Sequence, residues 1–142
     1  MDFPQLLHLR KAMHKAFKYS KELKALPVVI FHSYSGTYRE AEDFLKRGVN
    51  AYFSFGTTIA LNHKIAQEAV SKLPAEHLLF ETDAPYQGLR GKDHSSWKDV
   101  LVVLKEASRL RLEARGQDKS ENRQDLEKIS DLNFSRCFGY TT

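Results

Sequence analysis

His77-Leu78-Leu79-Phe80-Glu81-Thr82-Asp83-Ala84-Pro85 is an apolar run that ends in carboxylates and is stopped by a proline. A buried charge is costly unless it is paired or binds a metal. Asp83 therefore belongs where the strand emerges, at a mouth and not in a core. Two further segments share the design. Pro27-Val28-Val29-Ile30-Phe31 runs into His32 and then Ser33-Tyr34-Ser35-Gly36, and Phe3-Pro4-Gln5-Leu6-Leu7 runs into His8. The last is the weaker copy, because a strand tolerates Pro4 only near its start or on an edge. Three apolar strands ending in His or Asp point to a site built at the C-terminal ends of parallel strands.

Helical spacing fills the intervals. From Arg10 to Lys24, Ala12, Ala16, Tyr19 and Leu23 recur at three- and four-residue steps, with lysines on the other face. Val28 to Phe31 lacks polar alternation, as a strand covered on both faces does. Thr37-Tyr38-Arg39-Glu40 has capping-box spacing and opens a helix with Ala41, Phe44 and Leu45 inward, ending near Gly48. Ala51 to Phe55 is the next strand. A helix from about Asn62 to Lys72 places Ile65, Ala66, Ala69 and Val70 on one side, and the strand His77 to Glu81 follows. After the polar loop Pro85 to Ser96, a helix to about Arg115 turns Val100, Val103, Leu104, Ala107 and Leu110 inward. A last helix, from about Gln124 to Phe138, is expected to bury Leu126, Ile129, Leu132, Phe134 and Phe138. Strand and helix alternating four times imply right-handed βαβ units and a parallel sheet. Neither G-x-G-x-x-G nor G-x-x-x-x-G-K-[ST] occurs, so neither glycine-rich phosphate loop is present.

The 142 residues are read as one domain, residues 1–142, long enough to bury a core. No apolar run approaches a membrane span, and the N-terminus shows no secretory pattern. One cysteine, Cys137, rules out an intrachain disulfide and fits a reducing compartment, the cytoplasm. It reads as a packing residue. The net charge of +4 is compatible with a phosphate-bearing partner and does not demand one.

His8, His32 and Asp83 occupy the strand ends where α/β folds bind ligands. Imidazole plus carboxylate suits a divalent ion such as Zn²⁺ or Mn²⁺. The plainer reading makes His32 a hydrogen-bonded core histidine and Asp83 a helix cap. His14, His63 and His77 read as structural or solvated. In the loop after Asp83, Arg90 and Lys92 could meet a phosphate and His94 a substrate, or all three could simply be solvated. Tyr34, Tyr86 and Trp97 could stack on a base, against the default of packing.

At these residues the chain resembles the TatD family of metal-dependent deoxyribonucleases. His32-Ser33-Tyr34-Ser35-Gly36 is similar to the family's histidine motif after the sixth barrel strand, and Glu81 to Pro85 to its Glu-Thr-Asp-Ala-Pro motif after the eighth. Ala41-Glu42-Asp43-Phe44-Leu45, Gly48, Ser54-Phe55-Gly56 and the closing Asn133-Phe134-Ser135-Arg136-Cys137-Phe138 fit between and beyond them. His8-Leu9-Arg10-Lys11-Ala12 is a looser match to the fifth-strand motif.

The resemblance implies a (β/α)₈ TIM-type barrel of the metal-dependent hydrolase superfamily, holding one or two Mg, Mn or Zn ions. His8, His32 and Asp83 would be the metal ligands. Asp83 would also orient or deprotonate a water that attacks a phosphodiester of DNA, with Glu81 and Thr82 supporting the site from behind. The family's first-strand H-x-H pair and fourth-strand glutamate have no counterpart here. The expected fold is therefore a C-terminal half barrel of four βα units, with bare edges that two copies, or a separate N-terminal half, could cover. Three functional readings stand together: a hydrolase seen as its metal-site half, a catalytically incomplete remnant, and an assembly module using the basic loop and apolar face.

Overall fold

The computed structural model describes residues 5–7, 13–81, 99–114 and 123–138. Four parallel strands lie in the order β1 (Gln5–Leu7), β2 (Val29–Phe31), β3 (Ala51–Phe55) and β4 (Leu78–Phe80). Ile30 stands opposite Leu6 and Tyr52, and Ser54 opposite Leu79. Parallel strands need crossovers. Here these are α1 (Met13–Phe17) with α2 (Ser20–Lys24), then α3 (Tyr38–Lys46), then α4 (Lys64–Lys72). Beyond β4 come α5 (Asp99–Ala114) and α6 (Arg123–Phe138).

Side chains alternate across a strand, and both faces of this sheet are used. Val29, Phe31, Ala51, Phe53, Phe55 and Leu78 face the helices and join Phe44, Val70, Val103 and Leu126 in the main core. Phe31 is its hub, stacked on Phe53 at 5.3 Å and tilted against Phe44 at 4.9 Å. On the opposite face Ile30, Tyr52 and Leu79 form a second cluster closed by Cys137 of α6. Burial pushes the Cys137 thiol up to about 12, which fits packing and not reactivity.

Two devices end α3 as its sequence foretells. The Thr37 hydroxyl accepts from the Glu40 amide at 3.1 Å while the Thr37 amide donates to Glu40 Oε1 at 2.8 Å, a capping box. At the other end Gly48 takes φ +86°, its amide donating to the Leu45 carbonyl and that of Val49 to the Phe44 carbonyl. That is a Schellman cap, for which glycine is suited.

Three helix readings need correction. The segment expected as one helix from Arg10 to Lys24 is broken between Phe17 and Ser20, and Tyr19 lies 56% exposed instead of packed. Lys15, Lys18, Lys21 and Lys24 succeed one another at three-residue steps, and like charges at that spacing weaken a helix. In α4, Ala66, Ala69 and Val70 are buried but Ile65 is exposed, one position off the core-facing stripe. In α6 the inward positions are Leu126, Ile129, Asn133 and Cys137, whereas Leu132, Phe134 and Phe138 are exposed. A 3-10 turn at Thr57–Leu61, not anticipated from the sequence, joins β3 to α4.

Candidate functional site

The strand ends of β2, β3 and β4 meet at one carboxylate. Glu81 follows Phe80, and its amide extends the ladder by donating to the Phe55 carbonyl at 3.0 Å. Its side chain lies on the same face as Leu79, toward the other strand ends. Glu81 Oε1 accepts from the Ser33 amide at 3.1 Å and the Ser33 hydroxyl at 2.8 Å. Glu81 Oε2 accepts from the Ser54 hydroxyl at 2.7 Å and lies 2.9 Å from His32 Nε2. Four polar contacts occupy a group with about four acceptor positions. The partly buried carboxylate is therefore fully engaged.

The backbone prepares this arrangement. Ser33 sits at φ +49°, a left-handed conformation uncommon for a residue with a Cβ. That twist at the end of β2 lets both the amide and the hydroxyl of Ser33 reach one oxygen. The next amide, of Tyr34, donates to the Ser54 carbonyl at 2.8 Å and ties the turn to β3. Tyr34 itself is buried against Phe31, Phe53 and Phe55, with its hydroxyl donating to the Thr37 carbonyl at 2.6 Å. Burial pushes that hydroxyl's pKa up. Tyr34 is a wall of the turn and not a stacking platform.

His32 is 31% exposed and Glu81 18%, so the pair lies at a mouth. It opens into a groove of about 280 Å³, floored by Ile30 and Leu79 and bordered by Asp131, Phe134 and Phe138 of α6. With Nε2 directed at Glu81, the neutral imidazole carries its basic lone pair on Nδ1, the tautomer a carboxylate partner selects. The donor chemistry thus fits one imidazole ligand for a divalent ion, oriented by a carboxylate whose own oxygens are already taken. Among the described residues, no group of three His, Cys, Asp or Glu side chains comes together around a metal position. His8, Thr82, Asp83, Arg90, Lys92 and His94 lie outside the described residues, as do Tyr86 and Trp97.

Of the remaining histidines, His77 Nδ1 lies 2.8 Å from the Ala51 carbonyl and its ring packs near Tyr52, a structural role. His63 stands just ahead of α4. Sequence reasoning missed Ser33 and Ser54 as members of the site. Ser54 carried a signal, since it is the one small polar residue inside Ala51–Phe55 and falls on the face opposite the helices.

A parallel α/β sheet with an imidazole and a carboxylate at its strand ends is the arrangement in which barrel-type α/β folds build their ligand sites. Over residues 1–139 the sequence matches the family described as TatD related DNase, and the chain belongs to that family. An uncharacterized metal-dependent hydrolase of Bacillus subtilis, YabD, is 30% identical over 137 residues, covering 92% of this chain and 53% of the relative. A protein of Citrobacter rodentium named 3'-5' ssDNA/RNA exonuclease TatD is 28% identical, covering 99% and 53%. The solved structure of the Escherichia coli TatD homolog YJJV superposes with a TM-score of 0.75 at 25% identity over 96% of this chain and 50% of that one. The TatD family hydrolase of Entamoeba histolytica, 16% identical, shares the fold with a TM-score of 0.78 over 97% and 51%. The chain spans about half the length of these relatives.

Proposed function

We propose that this chain is the metal-site half of a hydrolase that cleaves phosphodiester bonds in DNA. The observation that carries the reading is Glu81 fixing His32 at a groove mouth, in a family with members named as nucleases. A divalent ion, Mg, Mn or Zn, supplies activation of water and offsets charge on the phosphoryl oxygens when bound. His32 contributes one imidazole to it, and Glu81, Ser33 and Ser54 hold that imidazole in place. His8 and Asp83 complete the ligand set in this reading, Asp83 also orienting the attacking water, with Thr82 behind it. In this reading Arg90 and Lys92 meet the substrate phosphates and His94 contacts the substrate. The single cysteine, free and buried, fits a reducing compartment such as the cytoplasm.

A second reading has a specific observation behind it. Because the chain matches only about half of its relatives, the isolated chain is a catalytically incomplete remnant until four further βα units join it. One experiment addresses both. Hydrolysis of a labelled single-stranded oligonucleotide is measured with Mg²⁺, Mn²⁺ or Zn²⁺ and with EDTA. The expected result is metal-dependent cleavage that falls at least about 100-fold in His32→Ala and in Asp83→Ala. Cleavage that survives both substitutions rejects the site. Cleavage that appears only after adding the separately expressed N-terminal half of YabD favours the incomplete reading.

A further inference from the structure

The positive charge of this chain is concentrated in one place. Residues 10–24 contain six Lys or Arg and a single acid, Glu22, while the rest of the chain holds sixteen Lys or Arg against eighteen acids less that one. The whole excess of +4 therefore resides in the crossover from β1 to β2. Lys15, Lys18, Lys21 and Lys24 are all exposed, and Arg47, at the end of α3, joins them by donating to the Ser20 hydroxyl at 3.1 Å.

These lysines differ from three other cations of the surface, Lys46, Lys72 and Arg109. Lys46 is paired with Glu42, Lys72 with Glu68, and Arg109 with Glu106 and Glu113, each within its own helix. Among the described residues no carboxylate lies within ion-pair distance of Lys15, Lys18, Lys21 or Lys24. Their mutual repulsion is left in place, at the cost of a broken helix. Amid them stands Tyr19, 56% exposed, between Lys18 and Lys21. Phe17, two residues earlier, is held by stacking on Phe44 at 4.4 Å under the Arg47 guanidinium. A polyanion satisfies the lysines, and an unpaired base gives the Tyr19 ring a face to stack on. A membrane surface offers the charge but, among the described residues, meets no apolar face here, since the other exposed large apolar residues described belong to α4, α5 and α6.

We propose that α1 and α2, with Arg47, form a binding surface for single-stranded nucleic acid, separate from the His32–Glu81 site. Lys15, Lys18, Lys21 and Lys24 meet the backbone phosphates and Tyr19 stacks a base. The proposal deepens the nuclease reading, because such a surface holds the strand outside the groove, but binding to it requires no metal and no turnover.

The test is fluorescence anisotropy of the full chain with a labelled single-stranded oligonucleotide in EDTA, over a salt series. Combining Lys15→Ala, Lys18→Ala, Lys21→Ala and Lys24→Ala is expected to weaken binding about 10- to 100-fold near 100 mM salt. The slope of log affinity against log salt should become shallower by roughly 3. Replacing the same four residues by Arg should preserve both quantities. Tyr19→Ala should weaken the oligonucleotide at least about 5-fold and leave inorganic polyphosphate, which has no bases, unaffected. If the quadruple alanine variant loses its far-UV circular dichroism, the double variant Lys18→Ala, Lys21→Ala is read in the same way. Wild-type affinity and slope in the alanine variants overturn the proposal. So does binding to phosphatidylserine vesicles without binding to the oligonucleotide. Metal-dependent turnover of bis(4-nitrophenyl) phosphate, measured in parallel, isolates the catalytic reading. If that turnover is absent while lysine-dependent binding persists, the hydrolase reading falls and this surface stands.

Discussion

At the scale of single residues, Glu81 separates two kinds of carboxylate that look alike in the sequence. Glu81 and Asp83 are two positions apart in one motif, yet the four polar contacts on Glu81 give it a holding task. A carboxylate that orients a ligating histidine is worth about 10- to 100-fold in metal affinity or activity. Glu81→Gln keeps the shape but turns one acceptor into a donor facing donors already present, from Ser33 on one side or from Ser54 and His32 on the other. The expected outcome is a 10- to 100-fold weaker apparent metal affinity, read from the metal dependence of hydrolysis or by calorimetry. Ser54→Ala removes one of four contacts and should fall well short of that loss. Equal losses from the two substitutions would show that Glu81 acts as more than a holder.

At the scale of elements, two caps of different strength can be compared directly. Arg111 of α5 is fully buried, and its Nη1 donates to the Val70 carbonyl at 2.9 Å and to that of Leu73, at the end of α4. Arg111→Met retains much of the bulk but withdraws a charged donor from two buried carbonyls, a loss of about 2–4 kcal/mol. Thr37→Ala opens the exposed capping box of α3 and should cost about 1 kcal/mol. Urea unfolding with an unchanged slope should place the two midpoints in that order. The elements also show what a sequence discloses. β2, β3 and β4 were legible because strands covered on both faces are apolar without interruption, and α3 because both of its caps are written in local residues. The inner face of α6 was not. Reading hydrophobicity put Phe134 and Phe138 inside, whereas buried Asn133 takes that side by donating to the Ala75 and Leu78 carbonyls. A polar residue inside a core is recognised only once its partners are known. The site divides in the same way. His32 was read at a strand end and Glu81 only through the motif it belongs to, while Ser33 joined through a backbone twist and Ser54 through a strand register that its one polar position in β3 merely hinted at.

At the scale of the whole molecule, the sheet poses a problem of closure. β1 is paired by β2 and β4 by β3, and both outer edges belong to strands of a parallel sheet, a kind normally covered or closed. α6 meets part of the need at β4, where Asn133 takes the Leu78 carbonyl, and Cys137 closes the cluster of Ile30, Tyr52 and Leu79. The groove above that cluster is still bordered by Phe134 and Phe138, tilted against each other at 4.6 Å and exposed. Two copies related by a twofold along the strand direction would set β4 of each beside β1 of the other. All eight strands would then be parallel, the closed arrangement that this class of fold uses. Size-exclusion chromatography with light scattering should accordingly give about twice the chain's 16.4 kDa at micromolar concentration. If open sheet edges drive that pairing, a polypeptide comprising the part of YabD that this chain does not match should convert the species into a one-to-one complex. A monomer that stays monomeric on concentration and ignores the added half would show that α6 alone seals the sheet. The inner groove would then be a finished surface and not half of a barrel.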